Sequence, residues 1–168
     1  YCDPDRALVT GDPSYSSPNG TAQSIKAPVK LTPVDARLRL DLEGLIRGAI
    51  GAGLVFLCNP NNPTSSVHTM SDIEQAVRTI KTRSPGTGIL IDEAYLEYAT
   101  LPGSGSMVKL ALELPGVFIT RSFSSSSSER STPSSRMKRV SPGSVMITRR
   151  SIWRTITSMC LSLIFTPC

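Results

Sequence analysis

Short apolar runs recur through the first 120 residues, and the segments between them carry apolar positions three and four apart. Gly53-Leu54-Val55-Phe56-Leu57-Cys58 has no charged or amide side chain, and Gly88-Ile89-Leu90-Ile91 and Val117-Phe118-Ile119-Thr120 repeat the pattern. Unbroken apolar runs of this length suit strands covered on both faces, as in a parallel sheet. Ala7-Leu8-Val9-Thr10 is a shorter strand candidate before the turn residues Gly11-Asp12-Pro13, and residues 28–33 alternate as a strand does. Ile73, Ala76, Val77 and Ile80 form one helical stripe and predict a helix over 71–83. Ser71 is its expected N-cap, with Glu74 three residues on completing a capping box, and Pro85-Gly86 ends it. Leu42, Leu45, Ile46 and Ile50 keep helical spacing, and a further helix is expected over 107–114. Residues 14–26 are expected to be helical only after Pro18, because Pro18-Asn19-Gly20 breaks a longer helix.

Strands alternating with helices predict an α/β fold with a parallel, or mixed, sheet and flanking helices. In such sheets ligands bind at the carboxyl ends of the strands. Polar residues follow the apolar runs there: Asn59-Pro60-Asn61-Asn62-Pro63-Thr64 after the first, Asp92-Glu93-Ala94-Tyr95 after the second, Arg121-Ser122 after the third. Neighbouring strands lie roughly 5 Å apart. Asn62, Asp92 and Ser122 would therefore span about the width of a substituted pyridine ring. Taken singly, each has a plain structural reading. Asn-Pro pairs are common in loops, Asp92 could cap a helix, Tyr95 could pack, and Tyr15 could be a half-buried turn residue. His68 is expected to face solvent near a helix start without a partner, and no role is assigned to it.

Composition divides the chain. All thirteen acidic residues lie at or before Glu129, where eleven Lys and Arg leave a net charge of −2; residues 130–168 carry seven basic residues and no acid, a net charge of +7. Beyond Phe123 the periodicity stops at a run of five serines, and the following segment has the composition of a disordered tail. Residues 152–168 turn apolar again, but are too short and too interrupted by polar residues for a membrane span. Cys2, Cys58, Cys160 and Cys168 show no paired short spacing, which argues against zinc, and Cys58 is expected as a buried thiol. The start has neither the basic nor the apolar stretch of a signal peptide, which points to a cytoplasmic protein. It also lacks an initiating Met, so an upstream targeting segment stays open.

The combination Asn-Pro-Asn-Asn-Pro-Thr, then Asp-Glu-Ala-Tyr, then Arg-Ser-Phe-Ser resembles the fold-type I pyridoxal-phosphate aminotransferases, histidinol-phosphate aminotransferases in particular. The likeness covers roughly residues 7–124. It implies a large-domain fragment of an enzyme that moves an amino group between an amino acid and a keto or aldehyde acceptor. It further implies that Asn62 and Tyr95 reach the cofactor's phenolic oxygen and that Asp92 pairs with the pyridine nitrogen. Ser122 and Ser124 would lie nearest the phosphate, and Tyr15 of Asp12-Pro13-Ser14-Tyr15 would stack on the ring. The parent enzyme is expected to be a homodimer acting on small molecules, with no nucleic-acid or membrane partner.

The chain departs from the family pattern at one decisive point. The family's Schiff-base lysine, its covalent anchor and general base, belongs at position 125, which is Ser125. No catalytic residue is therefore assigned. The Gly-rich stretch with a phosphate-binding Arg does not follow either, and Ser65 stands where the family has Gly after Pro-Thr. The expected division is a partial cofactor-binding domain over 1–124 and an unrelated basic tail over 125–168. That tail has the look of a shifted reading frame or a mis-spliced segment. Two alternatives stay open: a non-catalytic pyridoxal-phosphate-binding protein, and an interaction protein that uses the basic tail.

Overall fold

A computed structural model describes residues 1–123 and 145–149 of the chain. Six parallel strands form one sheet in the order β2-β1-β3-β4-β5-β6. They are β1 (Leu8–Asp12), β2 (Val29–Pro33), β3 (Leu54–Cys58), β4 (Gly88–Asp92), β5 (Val117–Phe123) and β6 (Val145–Arg149). The helices are α1 (Ser17–Ser24), α2 (Leu42–Gly48), α3 (Met70–Arg83) and α4 (Val108–Glu113), with a 3-10 turn at Leu96–Tyr98. The α/β sheet expected from the apolar runs is present, and every pairing between these strands is parallel. No strand is expected from the sequence pattern at β6, yet its backbone pairs along β5 from Ile119 to Phe123. Residues 124–144 and 150–168, which hold Ser124, Ser125 and most of the proposed tail, lie outside the described residues.

The period-2 alternation of the strands sorts side chains onto two unlike faces. Val9, Val55, Leu57, Ile89, Ile91 and Ile119 turn to one face and join the main core with α2, α3 and α4. Leu8, Leu54, Phe56 and Cys58 turn to the other, where Ala22 of α1, Ala27 and the partly buried Tyr1, Tyr15 and Leu90 complete a smaller cluster. Among the described helices, three cover the first face and one the second.

Two helix starts differ from the expectation. α3 begins at Met70, and its N-cap is Thr69, not Ser71. Thr69 Oγ1 accepts from the Asp72 backbone N–H at 3.2 Å while Asp72 Oδ2 accepts from Thr69 N at 3.1 Å. This is a capping box closed by Asp in place of the usual Glu or Gln. Glu74 instead pairs with Arg78 one turn on, at 2.8 Å. α1 begins before Pro18, not after it. The proline sits in the first turn, where the N–H it lacks would have no intrahelical acceptor.

Candidate functional site

From β1 the chain passes to the outer strand β2 and then returns to place β3 on the other side of β1. Strand order therefore reverses between β1 and β3, and a crevice opens outside their carboxyl ends. The loops that follow β1, β3 and β4 carry Tyr15, Asn62 and Tyr95, and Asp92 is the last residue of β4.

Asp92 and Glu93 are neighbours in sequence with opposite fates. Glu93 turns to the face under α4 and its side chain is 1% exposed. It accepts from the Met107 backbone N–H, from Ser106 Oγ at 2.9 Å and from Arg121 Nε at 2.9 Å. Asp92 turns to the opposite face. Its Oδ1 accepts from Ala94 N at 3.0 Å and Thr120 Oγ1 at 3.1 Å, while Oδ2 has no hydrogen-bond partner among the described residues. Burial raises the Asp92 carboxyl above the usual carboxylate range, the charge of Glu93 adds to this, and the two hydrogen bonds only partly offset it. A partly buried carboxylate with one oxygen unbonded and no cation paired to it among the described residues is an incomplete electrostatic arrangement.

Three further groups crowd the same place. Burial pushes the Tyr15 phenol up, and the nearby Asp92, Tyr95 and Cys58 push it further, while a hydrogen bond with Ser17 works against them. The Tyr15 ring centre lies 6.3 Å from that of Phe56 on β3. The Cys58 thiol is pushed up to about 12 by burial and by Asp92, although the Asn62 backbone N–H lowers it. It is a buried free thiol, as expected, and its Sγ lies 3.3 Å from the Pro60 carbonyl oxygen. Tyr95 is 43% exposed, with its ring 6.4 Å from Tyr98. Tyr15 thus lies near Asp92, Tyr95 and Cys58, and Cys58 lies near both Asp92 and the Asn62 backbone. Ser122 lies on the adjacent strand β5, two residues past the Asp92↔Thr120 pair. Ser124 and Ser125 fall outside the described residues.

Residues not singled out from the sequence hold this arrangement together. Asn61 is 2% exposed and reaches from the β3 loop to the β1 loop. Its Oδ1 accepts from Ser14 Oγ at 2.7 Å, and its Nδ2 donates to Pro13 O at 3.0 Å and Thr64 Oγ1 at 2.8 Å. Asn59 closes the loop on itself, with Oδ1 accepting from His68 N at 2.8 Å and Nδ2 donating to His68 O at 3.2 Å. His68 is therefore not the solvent-facing, unpartnered residue expected. It is 8% exposed and its Nε2 lies 2.9 Å from the Leu40 carbonyl oxygen, an acceptor that requires the proton on Nε2. Burial lowers its basicity below the ordinary histidine value. Strand alternation alone signals that Asp92 and Glu93 part company. No local signal tells that Asn61 meets Pro13 and Ser14, which lie 48 and 47 residues away.

The family model for aminotransferase class I and II matches residues 1–128. The chain belongs to this family. Among its relatives is a histidinol-phosphate aminotransferase of Symbiobacterium thermophilum, 34% identical over 125 residues, covering 74% of this chain and 33% of the relative. A histidinol-phosphate aminotransferase of Staphylococcus carnosus is 30% identical over 122 residues, 72% of this chain and 34% of that one. The chain thus spans about a third of the length of the curated relatives it matches. Among solved structures, the histidinol-phosphate aminotransferase of Sinorhizobium meliloti in complex with pyridoxal-5'-phosphate superposes with a TM-score of 0.62 at 25% identity, covering 70% of this chain and 31% of that one. The enzyme from Clostridium acetobutylicum gives a TM-score of 0.59 at 24% identity, over 69% and 34% of the two chains, and shares the fold.

Proposed function

We propose that residues 1–124 are the cofactor-binding part of an aminotransferase large domain, that they take pyridoxal phosphate without a covalent bond, and that this chain does not complete amino transfer. The observation that carries the reading is Asp92. Its carboxylate is partly buried, its Oδ2 has no hydrogen-bond partner among the described residues, and two phenols and the Asn62 loop lie near it. A protonated pyridine nitrogen is the cation such a group lacks, and a charge-assisted bond there is roughly twice as strong as a neutral one. The chemistry of these side chains suits the cofactor: Asp92 would keep the ring nitrogen protonated, and Tyr15 would stack on the ring. Asn62 and Tyr95 would serve the phenolic oxygen, and Ser122 and Ser124 would serve the phosphate. When bound, pyridoxal phosphate supplies an electron sink for the carbon that loses its proton.

The parent reaction in this reading is amino-group exchange between an amino acid, such as glutamate, and a keto or aldehyde partner, performed by a homodimer without nucleic-acid or membrane partners. Ser125 offers neither the amine that fixes the cofactor nor the base that moves the proton. The segment 125–168 is then an unrelated tail. Among the described residues no helix is long and apolar enough to cross a membrane.

The test is a titration of the full chain with pyridoxal phosphate, followed by visible absorbance, with and without borohydride. Saturable binding that leaves no cofactor attached to the protein after reduction is expected. Asp92→Ala should abolish it, and Ser125→Lys should turn it into binding that borohydride fixes. Absence of saturable binding would overturn the reading. The tail has a separate check. In one of the other two reading frames past codon 124, the gene should encode a lysine followed by Gly-Leu-x-Gly-x-Arg.

A further inference from the structure

Asn61 spends every polar atom it has. Its backbone N–H donates to Ser66 O and its carbonyl accepts from Ser65 N, both at 2.8 Å. Its side chain makes the three bonds to Ser14, Pro13 and Thr64 described above. Two of these cross from the loop after β3 to the loop after β1, on either side of the point where strand order reverses. The loop partners are significant by position: Pro13 and Ser14 immediately precede Tyr15, and Asn62 immediately follows Asn61. The carboxamide accepts from the Ser14 hydroxyl through its oxygen and donates to the Pro13 carbonyl and Thr64 through its nitrogen, so one short side chain ties both loops.

We infer that Asn61 is a positioning residue that sets the separation of the β1 and β3 loops, and so the placement of Tyr15 relative to Asn62 and Asp92. The inference rests on the proposed function for the identity of the ligand, but not for the clamp itself. Asn59 is an internal control. It is similarly buried, at 4% exposed, and its amide is bonded at both ends, but only to His68 within its own loop.

The experiment compares full-length Asn61→Ala and Asn59→Ala. Without any ligand, the ionisation of Tyr15 is followed by NMR of 13Cζ-labelled tyrosine. Asn61→Ala should move it back toward the ordinary tyrosine value, because the phenol loses burial and leaves Asp92, Tyr95 and Cys58; Asn59→Ala should not. With pyridoxal phosphate, Asn61→Ala should weaken binding about tenfold more than Asn59→Ala does, the scale of one buried hydrogen-bonding group left unpaired. Ser14→Ala removes only the outer bond and should shift both readouts in the same direction by less, which decides the matter if Asn61→Ala does not fold. An unmoved Tyr15, or equal effects of the two asparagine variants, would overturn the inference. Loss of cofactor binding by the unsubstituted chain would overturn the proposed function, while the Tyr15 titration would still judge the clamp.

Discussion

The two faces of the sheet are built to different ends. Under α2, α3 and α4 the strands present Val, Leu and Ile, and the carboxylate on that side, Glu93, is met by three donors. The face toward α1 carries a smaller cluster with Cys58 and Tyr15 in it and, among the described residues, a half-bonded Asp92 and a buried Thr10 hydroxyl with no partner. Native interiors pair nearly all of their buried polar groups. One face therefore meets that standard, and the other leaves groups waiting for something to complete them. Asp92, the last residue of β4, and Glu93, the next along the extended chain, fall on either side of the divide because successive side chains alternate.

Substitutions at matched positions can break or sharpen this contrast. Ile91→Ala empties a fully buried site on the closed face and should cost about 3–4 kcal/mol. Leu90→Ala, one residue away on the open face where Leu90 is only partly buried, should cost about 1 kcal/mol, both by urea denaturation. Equal losses would erase the distinction. Glu93→Ala takes the acceptor from the buried Met107 N–H and should cost about 2–3 kcal/mol by the same measurement.

Asp92→Asn should have the opposite sign. The folded-state carboxyl is raised, so the fold favours its protonated form. The Asp92 contribution to stability is thus greatest below the unfolded carboxylate range and is lost as pH rises toward the folded value. Above that range the ligand-free chain carries the full penalty. At neutral pH the Asn variant should melt at a higher temperature than the unsubstituted chain, and the gap should close on acidification. The same variant should bind pyridoxal phosphate more weakly. A melting temperature that falls at pH 7 would mean that the ionised carboxylate stabilises the fold. The smallest expected effect is at Ser65, whose φ of 56° is the left-handed conformation that glycine tolerates best. Ser65→Gly should stabilise by about 0.5–1 kcal/mol, seen as a higher urea midpoint.

Much of the fold was legible because it is encoded locally. The apolar runs at 54–58, 88–91 and 117–120 lie within strands, and the Ile73-Ala76-Val77-Ile80 stripe faces the core. Helix starts were less legible. At Thr69 an Asp closes the box, and at α1 a proline that breaks helix interiors is harmless in the first turn. His68 was misjudged for a different reason. Its burial depends on Leu40, twenty-eight residues earlier, and nothing near His68 in sequence points there. Asn62 and Asp92 were visible through their motif, whereas Asn61, inside that same motif, showed nothing of its grip on Pro13 and Ser14.

The sequence by itself determined the element types, the carboxyl-end location of the polar motifs, and the serine at position 125, since periodicity, turn chemistry and residue identity are local properties. The tertiary structure alone decided strand order, which brings the ends of β1 and β3 together at a reversal. It also decided which of two adjacent carboxylates is satisfied and which is left half-bonded. Both outcomes depend on pairings across tens of residues, where the hydrogen-bond partner and the covering helix come from elsewhere in the chain.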